Sequence, residues 1–325
     1  MNLSGKKIVV IGGAGLVGSH IVDQLIDEPV SQIVVYDNFV RGSRKNLEVA
    51  NARSRKITLE DASILNVDRL QKNLEGAGGV FLLAALWLGE CVADPRAAIQ
   101  VNVVGTFNVI EAAIKAGVER VVYSSSASVY GDAVSTPMTE DHPFNNRTMY
   151  GATKIAGEQF FRALYEQHKL PYVGLRYMNV YGPRMDYHGT YVSVIMKVLD
   201  RIEQNQPPVI FGDGSQAYDF IHVTDVARAN ILSMKAEVAD QFFNIGTGVK
   251  TTINELVHLL LKISESSLEP EYRPEEQMFV THRVSSTERS ERQLGFRANI
   301  PLEEGLRSVV EWRRRDKKQA FSKAV

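Results

Sequence analysis

The stretch Lys7-Ile8-Val9-Val10-Ile11-Gly12-Gly13-Ala14-Gly15-Leu16-Val17-Gly18 decides how the rest of the chain is read. A β-branched run ends directly in glycines at 12, 15 and 18, and the apolar residues that follow, through Leu25, recur at helical spacing. That order means strand, tight turn, helix. In such a turn Gly12 permits the sharp bend, Gly15 lets the backbone approach a pyrophosphate, and Gly18 lets the helix lie close on the strand. The unpaired N–H groups of the helix start then face phosphates. Gly12, Gly15, Leu16 and Val17 are therefore expected to contact a dinucleotide.

Working outward, short β-branched runs recur at Gln32–Tyr36, Lys56–Leu59, Gly79–Leu83, Arg120–Ser124 and Tyr172–Arg176. Longer helical patterns separate them, notably Pro95–Ala116, with Ile99, Val103, Phe107 and Ile110 at helical spacing, and Tyr150–His168. Apolar strands separated by helices predict an α/β fold, a parallel sheet covered on both faces and doubly wound. Past residue 178, Pro183, Gly189, Pro207, Pro208, Gly212 and Gly214 loosen the pattern. Helices are expected at Val192–Glu203, Ile253–Ser264 and Leu302–Arg315. The expected organisation is a dinucleotide-binding domain over 1–178 plus about 209–246, with a smaller substrate-binding domain over about 179–208 and 247–315.

The second strand ends in Asp37, about 20 residues past the glycine loop. An acid there accepts hydrogen bonds from the adenosine ribose and repels a 2′-phosphate, which favours NAD over NADP. Arg41, Arg44 and Lys45 follow closely and argue the other way. Asn38 adjoins the acid, and Asp61 and Ala62, after the third strand, are expected near the adenine.

The 325 residues carry 37 basic and 38 acidic side chains, a net charge of −1, so neither a nucleic-acid nor a membrane surface is expected. No run of about 18 apolar residues is apparent, and the glycines interrupt the apolar start of the chain, so neither a membrane span nor a secretory leader is expected and a cytoplasmic location is. One cysteine, Cys91, excludes a disulfide framework and a thiolate metal cluster, and no metal is expected. Cys91 reads as a small core residue. The basic run Arg313–Arg315 with Lys317 and Lys318 reads as a solvated helix end.

Tyr150 and Lys154 are four residues apart and share one face of a helix. A fixed ammonium beside the phenol, together with a positive nicotinamide, is expected to lower the tyrosine pKa and make a phenolate base available. Ser126, at the end of the Arg120–Ser124 strand, is expected to orient the reacting hydroxyl.

Tyr150-Gly151-Ala152-Thr153-Lys154, Ser124-Ser125-Ser126-Ala127-Ser128-Val129-Tyr130-Gly131 and the glycine loop together resemble the extended short-chain dehydrogenase/reductases. The resemblance spans nearly the whole chain, through Asn102–Thr106, Leu175–Arg184 and Asp219–Ala227. It implies an NAD-dependent enzyme acting on a nucleotide sugar, with Ser126, Tyr150 and Lys154 catalytic. It places Asn102, Ser124, Tyr150, Lys154, Tyr177 and the Leu83-Ala84-Ala85 segment against the cofactor and Asn179 near substrate phosphate, and it implies a homodimer joined through Pro95–Ala116 and Tyr150–His168.

Dehydratases and decarboxylases of this superfamily usually carry an acid after the serine; here Ala127-Ser128 is similar to the run of UDP-galactose 4-epimerases, as is Gly89-Glu90-Cys91-Val92. The expected reaction is epimerisation at C4 of a UDP-sugar, the alternatives being a nucleotide-sugar reductase or dehydrogenase, or a non-catalytic NAD-binding regulator. Tyr218 stands where 4-epimerases usually have a phosphate-binding arginine, Arg273 is the expected second phosphate ligand, and Trp87 and Leu88 replace smaller or basic residues. Arg283, at a position that tunes sugar size, and Arg184 are expected at the substrate, one or the other facing an anionic or amide-bearing substituent.

Overall fold

The computed structural model describes residues 1–187, 193–274 and 282–324. Gly189 and Val192, named in the sequence analysis, lie outside the described residues. The chain runs β1 (Lys7–Ile11), α1 (Leu16–Leu25), β2 (Gln32–Asp37), α2 (Glu48–Arg53), β3 (Ile57–Asp61), α3 (Val67–Leu74) and β4 (Ala77–Leu82). It continues through α4 (Leu88–Ala93), α5 (Pro95–Ala98), α6 (Thr106–Lys115), β5 (Arg120–Ser126), α7 (Met149–His168) and β6 (Tyr172–Tyr177). These strands and a later one form a seven-stranded parallel sheet, ordered β6-β5-β4-β1-β2-β3, with Gln241–Ile245 outside β6. Alternate residues of β1 go to opposite faces: Ile8 and Val10 pack against Ile21, Val22 and Leu25, while Val9 and Ile11 pack against Leu70, Leu74, Val109 and Ile110. This is the expected doubly wound fold, with helices on both faces of the sheet.

The second half supplies β7 (Asn179–Tyr181), α8 (Val194–Glu203), β8 (Val209–Phe211), β9 (Ala217–Tyr218), β10 (Phe220–His222), α9 (Val223–Lys235) and β11 (Gln241–Ile245). Then come β12 (Thr251–Thr252), α10 (Ile253–Ile263), β13 (Glu271–Arg273), β14 (His282–Arg283), α11 (Glu288–Leu294) and α12 (Leu302–Ala324). A separate core joins α8, α10 and α12 through Ile195, Leu199, Leu256, Leu260, Leu306 and Val309. Ile210 and Phe220 belong to it, so residues 209–220, expected with the dinucleotide-binding part, pack in the second lobe. Leu294 and Phe296 return to the first core.

Three further corrections concern helices. The last helix runs to Ala324, not Arg315. Arg313 is therefore no solvated end: it is 1% exposed, with Nε donating to Glu203 at 2.8 Å and its guanidinium 4.8 Å above the Tyr187 ring. Pro95–Ala116 is interrupted by a wide π-helical segment, Ile99–Gly105, and its buried side is Ala98, Asn102, Gly105, Thr106, Val109, Ile110 and Ala113. Ile99 and Phe107, two of the four spaced apolar residues, stay 45% and 40% exposed. By length and composition this helix is apolar enough to cross a membrane, although 44% of its most apolar window is buried against the sheet layer.

Candidate active site

The β1–α1 turn and the loop after β4 form one cradle. Gly12 has φ +81°, and a Cβ there would sit 2.7 Å from the Ala84 nitrogen, so only glycine lets the turn lie against Leu83-Ala84-Ala85. A Cβ at Gly18 would sit 2.2 Å from the Gly12 carbonyl oxygen, so this glycine sets how closely α1 follows β1. Gly15 caps α1 with no close neighbour beyond the Gly12 oxygen, leaving Leu16, Val17 and the helix N-terminus available to an anion.

Asp37 ends β2, buried. Its Oδ2 accepts from the Ala14 amide at 2.9 Å and its Oδ1 from Phe39 at 2.8 Å, while burial raises its pKa. The cations that argued for a 2′-phosphate are engaged elsewhere. Arg44 pairs with Asp61 at 3.1 Å, Lys45 with Asp316 at 2.6 Å, and Arg41 lies 4.5 Å over the Trp87 ring between Glu90 (3.6 Å) and Asp186 (3.4 Å). Asp61 thus holds Arg44, Ala62 donates its amide to the Asp37 carbonyl at 3.2 Å, and Asn38 turns its side chain to the Val40 amide at 3.3 Å.

Asn102 is drawn inward by the π-helical segment. Its amide group accepts from the Leu86 N–H at 2.7 Å, donates to the Leu86 carbonyl at 2.8 Å and donates to Thr153 at 3.1 Å. It pins the loop after β4 to the second turn of α7, a positioning task that a π segment suits. Cys91 is buried beside it, and desolvation raises its thiol pKa.

β5 runs two residues beyond its expected end because Ser125 and Ser126 continue the ladder with Arg176 and Tyr177 of β6. Backbone pairing does not depend on side-chain polarity, which is why a β-branched pattern ended too early. Ser126 therefore sits at the carboxyl end of a central strand, its Oγ accepting from the Ser128 amide at 3.1 Å. Opposite it, α7 starts at the Thr148 cap and presents Tyr150 and Lys154.

Lys154 is buried. Its Nζ donates to the Ser124 carbonyl at 2.8 Å and lies 5.7 Å from the Tyr150 ring centre. Desolvation presses its pKa down to about 8. The Tyr150 phenol is pushed up to about 12, chiefly by burial, opposed by the Ser126 hydroxyl and, more distantly, by Arg283 and Arg41. Among the chain's own groups the Lys154 ammonium is turned to a strand-end carbonyl and desolvation sets the phenol, so the lowering expected of the ammonium together with a positive nicotinamide awaits the bound cofactor.

Tyr150 and Ser126 open onto a cavity of about 920 Å³. Tyr177, Asn179, Tyr218, Arg273 and Arg283 line it too. Tyr177 contributes its ring, since its hydroxyl is locked between Ser124 at 2.8 Å and Asn230 at 2.9 Å. Arg184, expected at the substrate, does not line the cavity: its guanidinium pairs with Asp23 of α1 at 2.7 Å, beneath the sheet lobe. Lys197, Arg201, Phe211 and Gln216 line it without having been foreseen, because α8 and the β8–β9 loop carry no motif.

The doubly wound sheet, the glycine cradle and the Ser–Tyr–Lys group define a dinucleotide-dependent enzyme of the short-chain dehydrogenase/reductase type. Residues 8–246 match the NAD dependent epimerase/dehydratase family, and the chain belongs to it. A relative described as a putative UDP-glucose 4-epimerase from Methanocaldococcus jannaschii is 33% identical, covering 94% of this chain and 97% of its own. A dTDP-D-glucose 4,6-dehydratase from Mus musculus is 31% identical over 96% of this chain and 89% of its own. Among solved structures, a UDP-N-acetylglucosamine 4-epimerase from Methanobrevibacter ruminantium in complex with UDP-N-acetylmuramic acid superposes with a TM-score of 0.91 at 33% identity, covering 96% of this chain and 99% of that one. The cofactor is NAD, and the site fits it: the glycine cradle admits a close pyrophosphate, Asp37 ends β2 as an acid, and the neighbouring cations Arg44 and Lys45 are engaged by Asp61 and Asp316.

Proposed function

We propose that the protein is a nucleotide-sugar 4-epimerase of the UDP-hexose type. One observation carries this reading over dehydration or decarboxylation. Ala127, next to Ser126, is fully buried and bears no acid, and the only carboxylate among the described lining residues is Asp200, which is paired with Arg313. Elimination chemistry calls for an acid–base group beyond the tyrosine; C4 epimerisation does not.

When bound, NAD supplies the acceptor and donor for the C4 hydride and, while oxidised, a positive ring near the phenol. Tyr150 takes the C4 hydroxyl proton through its Oη and returns it after the sugar has turned. Ser126 holds the same oxygen in line. Lys154, fixed by the Ser124 carbonyl, keeps an ammonium beside the phenol while the proton moves. The cavity gives the ring room to turn, while the rim arginines Arg201 and Arg273 suit the diphosphate, which stays gripped. We further propose that two copies pair through the exposed Ile99, Val104 and Phe107 face, where Phe107 already meets Phe160 edge-on at 5.8 Å.

The test is proton NMR of the purified protein, with no added cofactor, on UDP-glucose, UDP-N-acetylglucosamine and UDP-glucuronate. A C4 epimer formed without net NADH is expected. Turnover only with added nicotinamide, or a dehydrated or decarboxylated product, would replace the reading with a redox or elimination enzyme.

A further inference from the structure

One charged group in the cavity takes no part in that chemistry. Arg283 stands on β14, in register with Tyr218 of β9, and points into the cavity that holds Tyr150. Its Nε is inaccessible to solvent and has no hydrogen-bond partner. Its Nη2 reaches the Gly131 carbonyl only at 3.5 Å, the outer limit of such a bond. The groups that attract it are the phenols of Tyr218 and Tyr150 and the carboxylate of Asp132, whose Oδ1 also accepts from the His282 amide at 3.3 Å. Desolvation presses its pKa down to about 10.

Arg184 Nη1 is likewise buried without a hydrogen-bond partner, but Arg184 and the other buried or rim arginines below each hold a carboxylate in a salt bridge, which Arg283 does not among the described residues. Arg176 is paired with Glu158 at 2.7 Å, Arg184 with Asp23 at 2.7 Å and Arg273 with Glu271 at 2.9 Å, and Arg313 with two acids. A buried guanidinium with an empty donor costs folding free energy, and a planar anion supplied by a ligand would offset that cost through the forked geometry of arginine.

Its place decides which anion. Arg201 of α8 and Arg273 of β13 share Glu271 and line the cavity as a pair, suited to the diphosphate. Arg283 lies at the reacting end: its Nη2 faces the Gly131 carbonyl of the turn that follows Ser126, and it lines the cavity with Ser126 and Tyr150. We infer that Arg283 is a specificity-determining residue that receives a carboxylate carried on the sugar ring, so that the preferred substrate is an acidic nucleotide sugar. This rests on the nucleotide-sugar reading above. The carboxylate has two possible sources, C6 of a hexuronate or the lactyl group of an N-acetylmuramate.

The test is calorimetric binding to the NAD-loaded protein, which does not depend on turnover. UDP-glucuronate is compared with UDP-glucose, and UDP-N-acetylmuramate with UDP-N-acetylglucosamine. One acidic member is expected to bind at least about tenfold more tightly than its neutral partner, the scale of one charge-assisted hydrogen bond; which pair shows it places the carboxylate on the ring. Arg283→Met is expected to abolish the preference while the melting temperature holds or rises, and Arg283→Lys to keep part of it. Equal binding within both pairs, or a preference unchanged in Arg283→Met, overturns the inference even if C4 epimers form. Tight Arg283-dependent binding of an acidic sugar that is then decarboxylated would sustain the inference and sink the 4-epimerase reading.

Discussion

Tyr150 carries a phenol that burial holds at about 12, so its reactivity depends on the charge brought beside it. Tyr150→Phe is expected to lower kcat by about 10²- to 10⁴-fold, the usual share of one acid–base group, with the bound NAD content unchanged; epimerisation rates and cofactor stoichiometry check both halves. His20 offers a separate pH signature. Its ring is buried against α1 and Arg184, and burial presses its pKa down to about 3. The unfolded chain takes up that proton near pH 6.5, whereas the folded chain does not until about 3. This group therefore subtracts stability as the pH falls through that window. His20→Gln is expected to reduce the drop in urea midpoint between pH 7 and 4.5. Ser126, Tyr150 and Lys154 were legible from the chain because helix spacing and a strand end bring them together locally. Arg41 and Arg184 were not, because their partners Asp186 and Asp23 lie 145 and 161 positions away and only the folded lobes juxtapose them.

Elements tell a similar story at their ends. β1 and α1 begin and end where the glycine motif and the apolar run place them, because the turn chemistry is local. β5 and α12 run past their expected limits. β5 is prolonged by pairing with β6, and α12 by contacts with α8, neither of which a periodicity reports. The Ile99–Phe107 stripe was at helical spacing, yet the helix turns it outward because Asn102 and Gly105 are needed inside. A Cβ at Gly105 would come within 2.5 Å of Ile64. Gly18→Ala is expected to push α1 away from its strand, since the methyl would meet a backbone oxygen rather than a movable side chain. Loss of bound NAD, read from the cofactor absorbance of the purified protein, and a lower melting temperature would both follow. Retention of full NAD content would show that the helix approach matters less than the geometry indicates.

At the scale of the whole molecule, α12 packs in the core it shares with α8 and α10 and reaches the loop beyond β2 by an ion pair. Arg313 spans from α12 to Asp200 and Glu203 of α8. Because those acids are about a third exposed and can be rehydrated, Arg313→Met is expected to cost about 1–3 kcal/mol in urea unfolding, less than a fully buried pair would. Asp316, one turn further, accepts from Tyr187 at 2.6 Å and pairs with Lys45 of the loop beyond β2. Together with the Arg41–Asp186 pair, it crosses from the glycine-cradle side of the cleft to the substrate lobe. Release of NAD is expected to be slowed by these pairs across the cleft. Each such exposed pair is worth only about 0.2–1 kcal/mol, so Lys45→Ala or Asp316→Ala should shorten the residence time of NAD by a few fold, measured by displacement with an analogue. Under the proposed 4-epimerase reading each hydride returns to the molecule it came from, slow departure of NAD favours turnover, and the far end of the last helix is expected to contribute to it.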